Sequence, residues 1–156
     1  LKPPALPLVI YVLFLNNHMR IAIINGPNLN LLGKREPEIY GTTSFEKYFH
    51  ELQIKYPEIE FSYYQSNVEG ELINELHRTG FSFDGILFNP GGYTHTSVAL
   101  GDAIASITTP VIEVHLSNIN AREEFRKISH ISAKCKGTIT GLGLKGYESA
   151  LSFFLV

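Results

Sequence analysis

Glu113 and His115, two positions apart in PVIEVHL, raise the first chemical possibility in this 156-residue chain. In an extended strand, residues i and i+2 project to the same side, so a carboxylate would stand beside an imidazole and hold it in one tautomer. The other reading is a surface pair at a strand end. A metal site would need a third ligand and a supporting shell, and the six histidines and single cysteine form no HExxH or Cys/His array. A second candidate is GKREPEIYG (33–41), which sets Tyr40 five residues after Arg35 in a segment too irregular for helix or strand. A phenol, with a pKa of about 10, becomes a base near neutrality only when a neighbouring cation stabilises the phenolate. Without such a role the segment is a solvated turn.

Two more stretches carry polar chemistry. NPGGYTHTS has a glycine pair that permits close backbone approach, then a Thr/Ser N-cap whose helix N-terminus favours anions. His95 within it could contact a ligand, cap a helix or pack in the core. HLSN offers amides and a hydroxyl ahead of AREEFRKISH, which reads as a short helix. Arg122 and Arg126, four apart, would share one face of it and suit a carboxylate. Paired with Glu123 and Glu124, the same face would be a solvated surface.

Two glycine motifs lead elsewhere. GPNLNLLGK has six residues between its glycines instead of four, and Arg35 where a nucleotide loop needs Ser or Thr for magnesium. GLGLKG (141–146) matches GxGxxG, but only ten residues follow, too few for the second strand and ribose-binding acid of a dinucleotide site. Its glycines are expected to make a turn and let the last helix pack closely. With no nucleophilic triad, metal cage or nucleotide loop, what remains is acid/base chemistry on a small polar anion.

These residues need elements to position them. The length suits one domain with a single continuous core. With 44% hydrophobic and 18% charged residues and a net charge of −2, the chain is globular in composition and carries no electrostatic footprint for nucleic acid or an anionic membrane. The lone Cys135 suits a reducing, cytoplasmic location. LKPPALPLVIYVLFLNNH differs from the rest; its apolar run, Leu8 to Leu15, is short of the about 20 residues that span a bilayer. Met19 is the only methionine and directly precedes RIAIIN, so residues 1–18 are expected to be an extension outside the fold and 19–156 a single catalytic domain.

From Met19 on, short apolar runs alternate with amphipathic stretches. RIAIIN, EIEFSYYQ, GILFN, PVIEVHL and GTITGLG read as strands. SFEKYFHELQIKYP, capped by its serine and closed by Pro57, reads as a helix; so do VEGELINELHRTG, TSVALGDAIASI, AREEFRKISH and GYESALSFFL. Five strands separated by helices predict a parallel, doubly wound α/β sheet of flavodoxin-like type with helices on both faces. Ligands bind such sheets beyond the carboxyl ends of the strands, and every polar stretch above follows a strand.

In this order the segments INGPNLNLLGKREPEIYG, FNPGGYTHTSVALGDA, IEVHLSNINAREEFRKISH and GLGLKGYESAL resemble type II 3-dehydroquinate dehydratase over Met19 to about Leu155. The resemblance implies a metal-free and cofactor-free lyase of the shikimate pathway that dehydrates 3-dehydroquinate to 3-dehydroshikimate by anti elimination through an enolate. It implies that Tyr40 is the general base, Arg35 lowers its pKa and closes over the substrate, and His115 is the general acid oriented by Glu113. Asn28 would hold the water and enolate region, with Asn89, His95, Leu116, Ser117 and Arg126 on the hydroxyls and carboxylate. Asp102 would reach a neighbouring subunit's site in a dodecamer built from trimers. The alternative expectation is a flavodoxin-like module that binds a small anion without turnover.

Overall fold

The computed structural model describes residues 18–34 and 42–155. Five parallel strands form one sheet: β1 (Met19–Asn25), β2 (Ile59–Gln65), β3 (Gly85–Asn89), β4 (Val111–His115) and β5 (Gly137–Thr140), in spatial order β2-β1-β3-β4-β5. Strands β3 and β4 are buried at every position, as expected for a parallel sheet covered on both faces. Among the described residues, four α-helices supply the cover: α1 (Phe45–Lys55), α2 (Glu69–Thr79), α3 (Val98–Ala105) and α4 (Lys145–Leu151).

Strand alternation divides the core in two. Ile21, Ile23, Leu87, Ile112 and Val114 pack with Phe45, Tyr48 and Leu52 of α1 and Tyr147 and Leu151 of α4. Their neighbours Ala22, Ile24, Ile86, Phe88 and Val111 face Leu72 and Leu76 of α2 and Leu100 and Ile104 of α3. The caps act as the sequence suggests: Ser44 accepts from the Lys47 amide at 3.3 Å and Ser97 from the Leu100 amide at 2.9 Å. Gly141 and Gly143, at φ of 84° and 57°, make the turn into α4.

One expected helix is absent. AREEFRKISH forms only 3₁₀ turns, Ile119–Ala121 and Glu124–Lys127, separated by extended Arg122 and Glu123. Phe125 and Ile128 are exposed, so a helix here would have had no apolar face to bury. Tertiary bonds take the place of helical ones: the His130 amide donates to the Thr94 carbonyl at 2.9 Å, and the Ile128 carbonyl accepts from His95 Nδ1 at 2.7 Å. The last helix is also shorter than GYESALSFFL, because beyond Leu151 the chain tightens into bonds such as Phe154 amide to Leu151 carbonyl at 2.9 Å.

Candidate active site

The chain leaves β1 toward β2 on one side and continues from β3 to β4 and β5 on the other, so strand order reverses between β1 and β3. Splayed connections at such a point leave a crevice beyond the carboxyl ends. A cleft of about 790 Å³, counting space open to solvent, lies there. Its walls are the segments after β1 (Pro27–Leu32), β3 (Asn89–His95) and β4 (His115–Arg126).

Each wall is held by bonds across the strand ends. The Gly26 amide donates to the Asn89 carbonyl at 2.7 Å, tying the first two walls together. Asn28 sits in the left-handed region at φ 69°, its amide donating to Asn67 Oδ1 at 2.9 Å. This is the conformation asparagine tolerates better than most residues. Tyr93 donates its hydroxyl to the Asn67 carbonyl at 2.9 Å, so the turn after β2 braces both sides of the crevice.

Glu113 and His115 form the most constrained part of the cleft. Both are buried, with Glu113 at 0% exposure, which rules out a surface pair. His115 Nε2 donates to Glu113 Oε1 at 2.7 Å. The same oxygen accepts the Thr94 hydroxyl, while Oε2 accepts those of Ser132 and, at 3.3 Å, Thr138. Burial alone would raise this carboxyl, but the hydrogen bonds from His115, Ser132 and Thr94 outweigh it and hold Glu113 below the usual carboxylate range. An anionic partner on Nε2–H leaves Nδ1 as the ring atom able to exchange a proton elsewhere. His95 stacks 6.5 Å from His115, ring centroid to centroid. Since a carbonyl only accepts, its Nδ1 is the protonated nitrogen facing Ile128.

Of the residues expected at the site, the structure brings together Asn28, Asn89, His95, His115, Leu116, Ser117 and Arg126 as lining, with Glu113 directly behind His115. Arg126 donates from Nε to Glu123 Oε2 at 2.7 Å. Arg122 also lines the cleft, although it and Arg126 stand on separate turns and not on one helix face. Asp102 is exposed on α3 and outside the lining of this single chain. Arg35 and Tyr40 lie outside the described residues. The apolar part of the wall, Leu29, Leu31, Leu32 and Ile119, went unread in the sequence because leucine after a strand carries no signal of its own. Among the described residues no three His, Cys, Asp or Glu side chains are placed to share a metal ion.

Fold and cleft are those of a doubly wound α/β protein with a small-molecule site at its switch point. Residues 19–155 match the family model for class II dehydroquinase, and the chain belongs to that family. It is 52% identical over 134 residues to a 3-dehydroquinate dehydratase from an Exiguobacterium species, covering 85% of this chain and 92% of the relative. It is 51% identical to one from Fusobacterium nucleatum, covering 88% and 97% of the two chains. The crystal structure of a type II dehydroquinase from Butyrivibrio crossotus superposes with a TM-score of 0.85 at 48% identity, covering 89% of this chain and 99% of the other.

Proposed function

We propose that this protein dehydrates 3-dehydroquinate to 3-dehydroshikimate in the shikimate pathway. Membership of the class II dehydroquinase family supports the reaction. The observation that carries the mechanism is the buried Glu113–His115 pair at the floor of the switch-point cleft. In the substrate, the hydrogen to be removed lies α to a ketone and the hydroxyl to be expelled lies β to it, so an enolate can separate the two steps. Tyr40, as phenolate beside Arg35, takes the α proton. His115, protonated and held through Nε2 by anionic Glu113, then gives its Nδ1 proton to the departing hydroxyl, which leaves as water. Return of a proton from Tyr40 to His115 through solvent resets the site.

Position in the cleft and membership of the family support the surrounding roles. Asn28 steadies the enolate and water; Asn89, His95, Ser117 and the backbone at Leu116 take the hydroxyls; Arg126 takes the carboxylate. Support for Arg35 and Tyr40 comes from the REPEIYG motif and from the ends of their segment. Leu31 and Leu32 line the cleft, and a Cβ on Gly33 would stand 2.8 Å from the Thr42 carbonyl oxygen, so the chain departs and returns at the rim. The catalytic unit is residues 19–156, residues 1–18 are dispensable, and the chain acts in the cytoplasm as a homo-oligomer, a dodecamer built from trimers in which Asp102 reaches a neighbour's cleft.

The test is optical. Added 3-dehydroquinate should develop the absorbance of a conjugated enone. Tyr40→Phe keeps the ring and removes the ionisable oxygen, so turnover should fall by about 10²-fold to 10⁴-fold, the range for a lost general base, with substrate still bound. Binding without enone would favour the anion-binding module, and a Tyr40→Phe protein with most of its activity would end the assignment of the base.

A further inference from the structure

Asn25 and Asn89 are register partners at the carboxyl ends of β1 and β3, side by side on the face that α4 covers. Tyr147 of α4, fully buried, stands over both. Its hydroxyl donates to Asn25 Oδ1 at 2.7 Å, and its oxygen accepts from Asn89 Nδ2 at 3.2 Å. The other end of the Asn89 amide, Oδ1, accepts from the Gly91 amide at 3.1 Å.

These three bonds leave the Asn89 amide one orientation. A flip would set its oxygen against a Tyr147 oxygen whose only proton is committed to Asn25, and its NH₂ against the Gly91 N–H. Burial pushes the Tyr147 phenol far above its usual pKa, so the hydroxyl stays protonated through the neutral range. One Nδ2 hydrogen and one Oδ1 lone pair of Asn89 remain for the cleft, which this residue lines.

We infer that Tyr147 is a positioning residue for substrate recognition: together with the Gly91 amide, it sets which atoms of Asn89 the cleft offers to a substrate hydroxyl. The inference rests on the reading that Asn89 contacts substrate.

A double-mutant cycle in steady-state kinetics tests it. Tyr147→Phe should raise KM about 3-fold to 10-fold, the range for one hydrogen bond, with kcat within about twofold of wild type. Asn89→Ala should raise KM as well, and adding Tyr147→Phe to it should raise KM no further, since a residue acting through Asn89 has nothing left to position. A general loss of packing would instead give independent effects. If Asn89→Ala leaves KM unchanged, the substrate contact and the positioning role both fall. If Asn89→Ala raises KM while Tyr147→Phe does not, or the two effects multiply, the positioning role alone is overturned. Should Tyr147→Phe not fold, Asn25→Leu removes the acceptor that commits the Tyr147 proton. The same KM rise, lost in the Asn89→Ala background, is expected, and an unchanged KM overturns the inference.

Discussion

A carboxylate with no exposed surface is costly unless every lone pair is used. Glu113 meets that condition with donors from His115, Thr94, Ser132 and Thr138. Because those bonds depress its pKa below the unfolded value of about 4.3, the stability they contribute is fully present above that pH. It is lost as pH falls through the folded value. Glu113→Gln replaces one accepting oxygen by a donor, so it should cost about 1–3 kcal/mol at pH 7 and lower turnover by leaving His115 without its anion. Thermal unfolding from pH 7 to pH 3 gives the check: the wild-type advantage over Glu113→Gln should hold above about pH 4.3 and narrow below it. A gap that widens with acid would contradict the charge assigned to Glu113.

At the scale of elements, the cleft depends on backbone conformations that no side-chain pattern encodes directly. Asn28 is the sole described non-glycine residue at positive φ, and it both starts the 3₁₀ turn after β1 and lines the cleft. Backbone and side-chain roles separate by substitution. Asn28→Gly keeps the left-handed conformation and removes the amide, so melting should stay close to wild type while kcat falls. Asn28→Ala removes the amide and also strains the turn, adding about 1–2 kcal/mol of destabilisation. Full activity in Asn28→Gly would leave the residue a purely structural role. The segment after β4 teaches the complementary lesson. Its arginines, expected to share one helix face, do line the cleft, but a four-residue spacing does not make a helix when neither Phe125 nor Ile128 is buried. Ser129 and Ser132, which bring hydroxyls to the Thr94–Glu113 cluster, gave no signal in the sequence because their partners are 19 or more residues away.

At the scale of the molecule, the single chain leaves features that an assembly would use. Asp102 is exposed on α3. Val98, Phe125 and Ile128, at 60%, 59% and 62% exposure, are large apolar side chains next to cleft-forming segments. Protein begun at Met19 should therefore keep its turnover and sediment as a large homo-oligomer. A monomer at micromolar concentration with full activity would remove Asp102 from the site and leave those apolar residues without an explanation.

The α/β alternation was legible locally, because strand and helix follow from hydrophobic period and capping. The Glu113–His115 pairing at the end of β4 was legible too, because the two residues are two positions apart and a strand places them on one side whatever surrounds it. The contacts that brace the cleft, by contrast, arise only on packing. Asn25, Asn89 and Tyr147 meet across 122 positions of chain from Asn25 to Tyr147, and Asp102 is exposed outside the lining of its own chain's cleft. The reason is physical. Spacing along a strand or helix is fixed by backbone geometry that every residue shares, whereas a hydrogen bond between distant segments exists only once packing has set strand order and register.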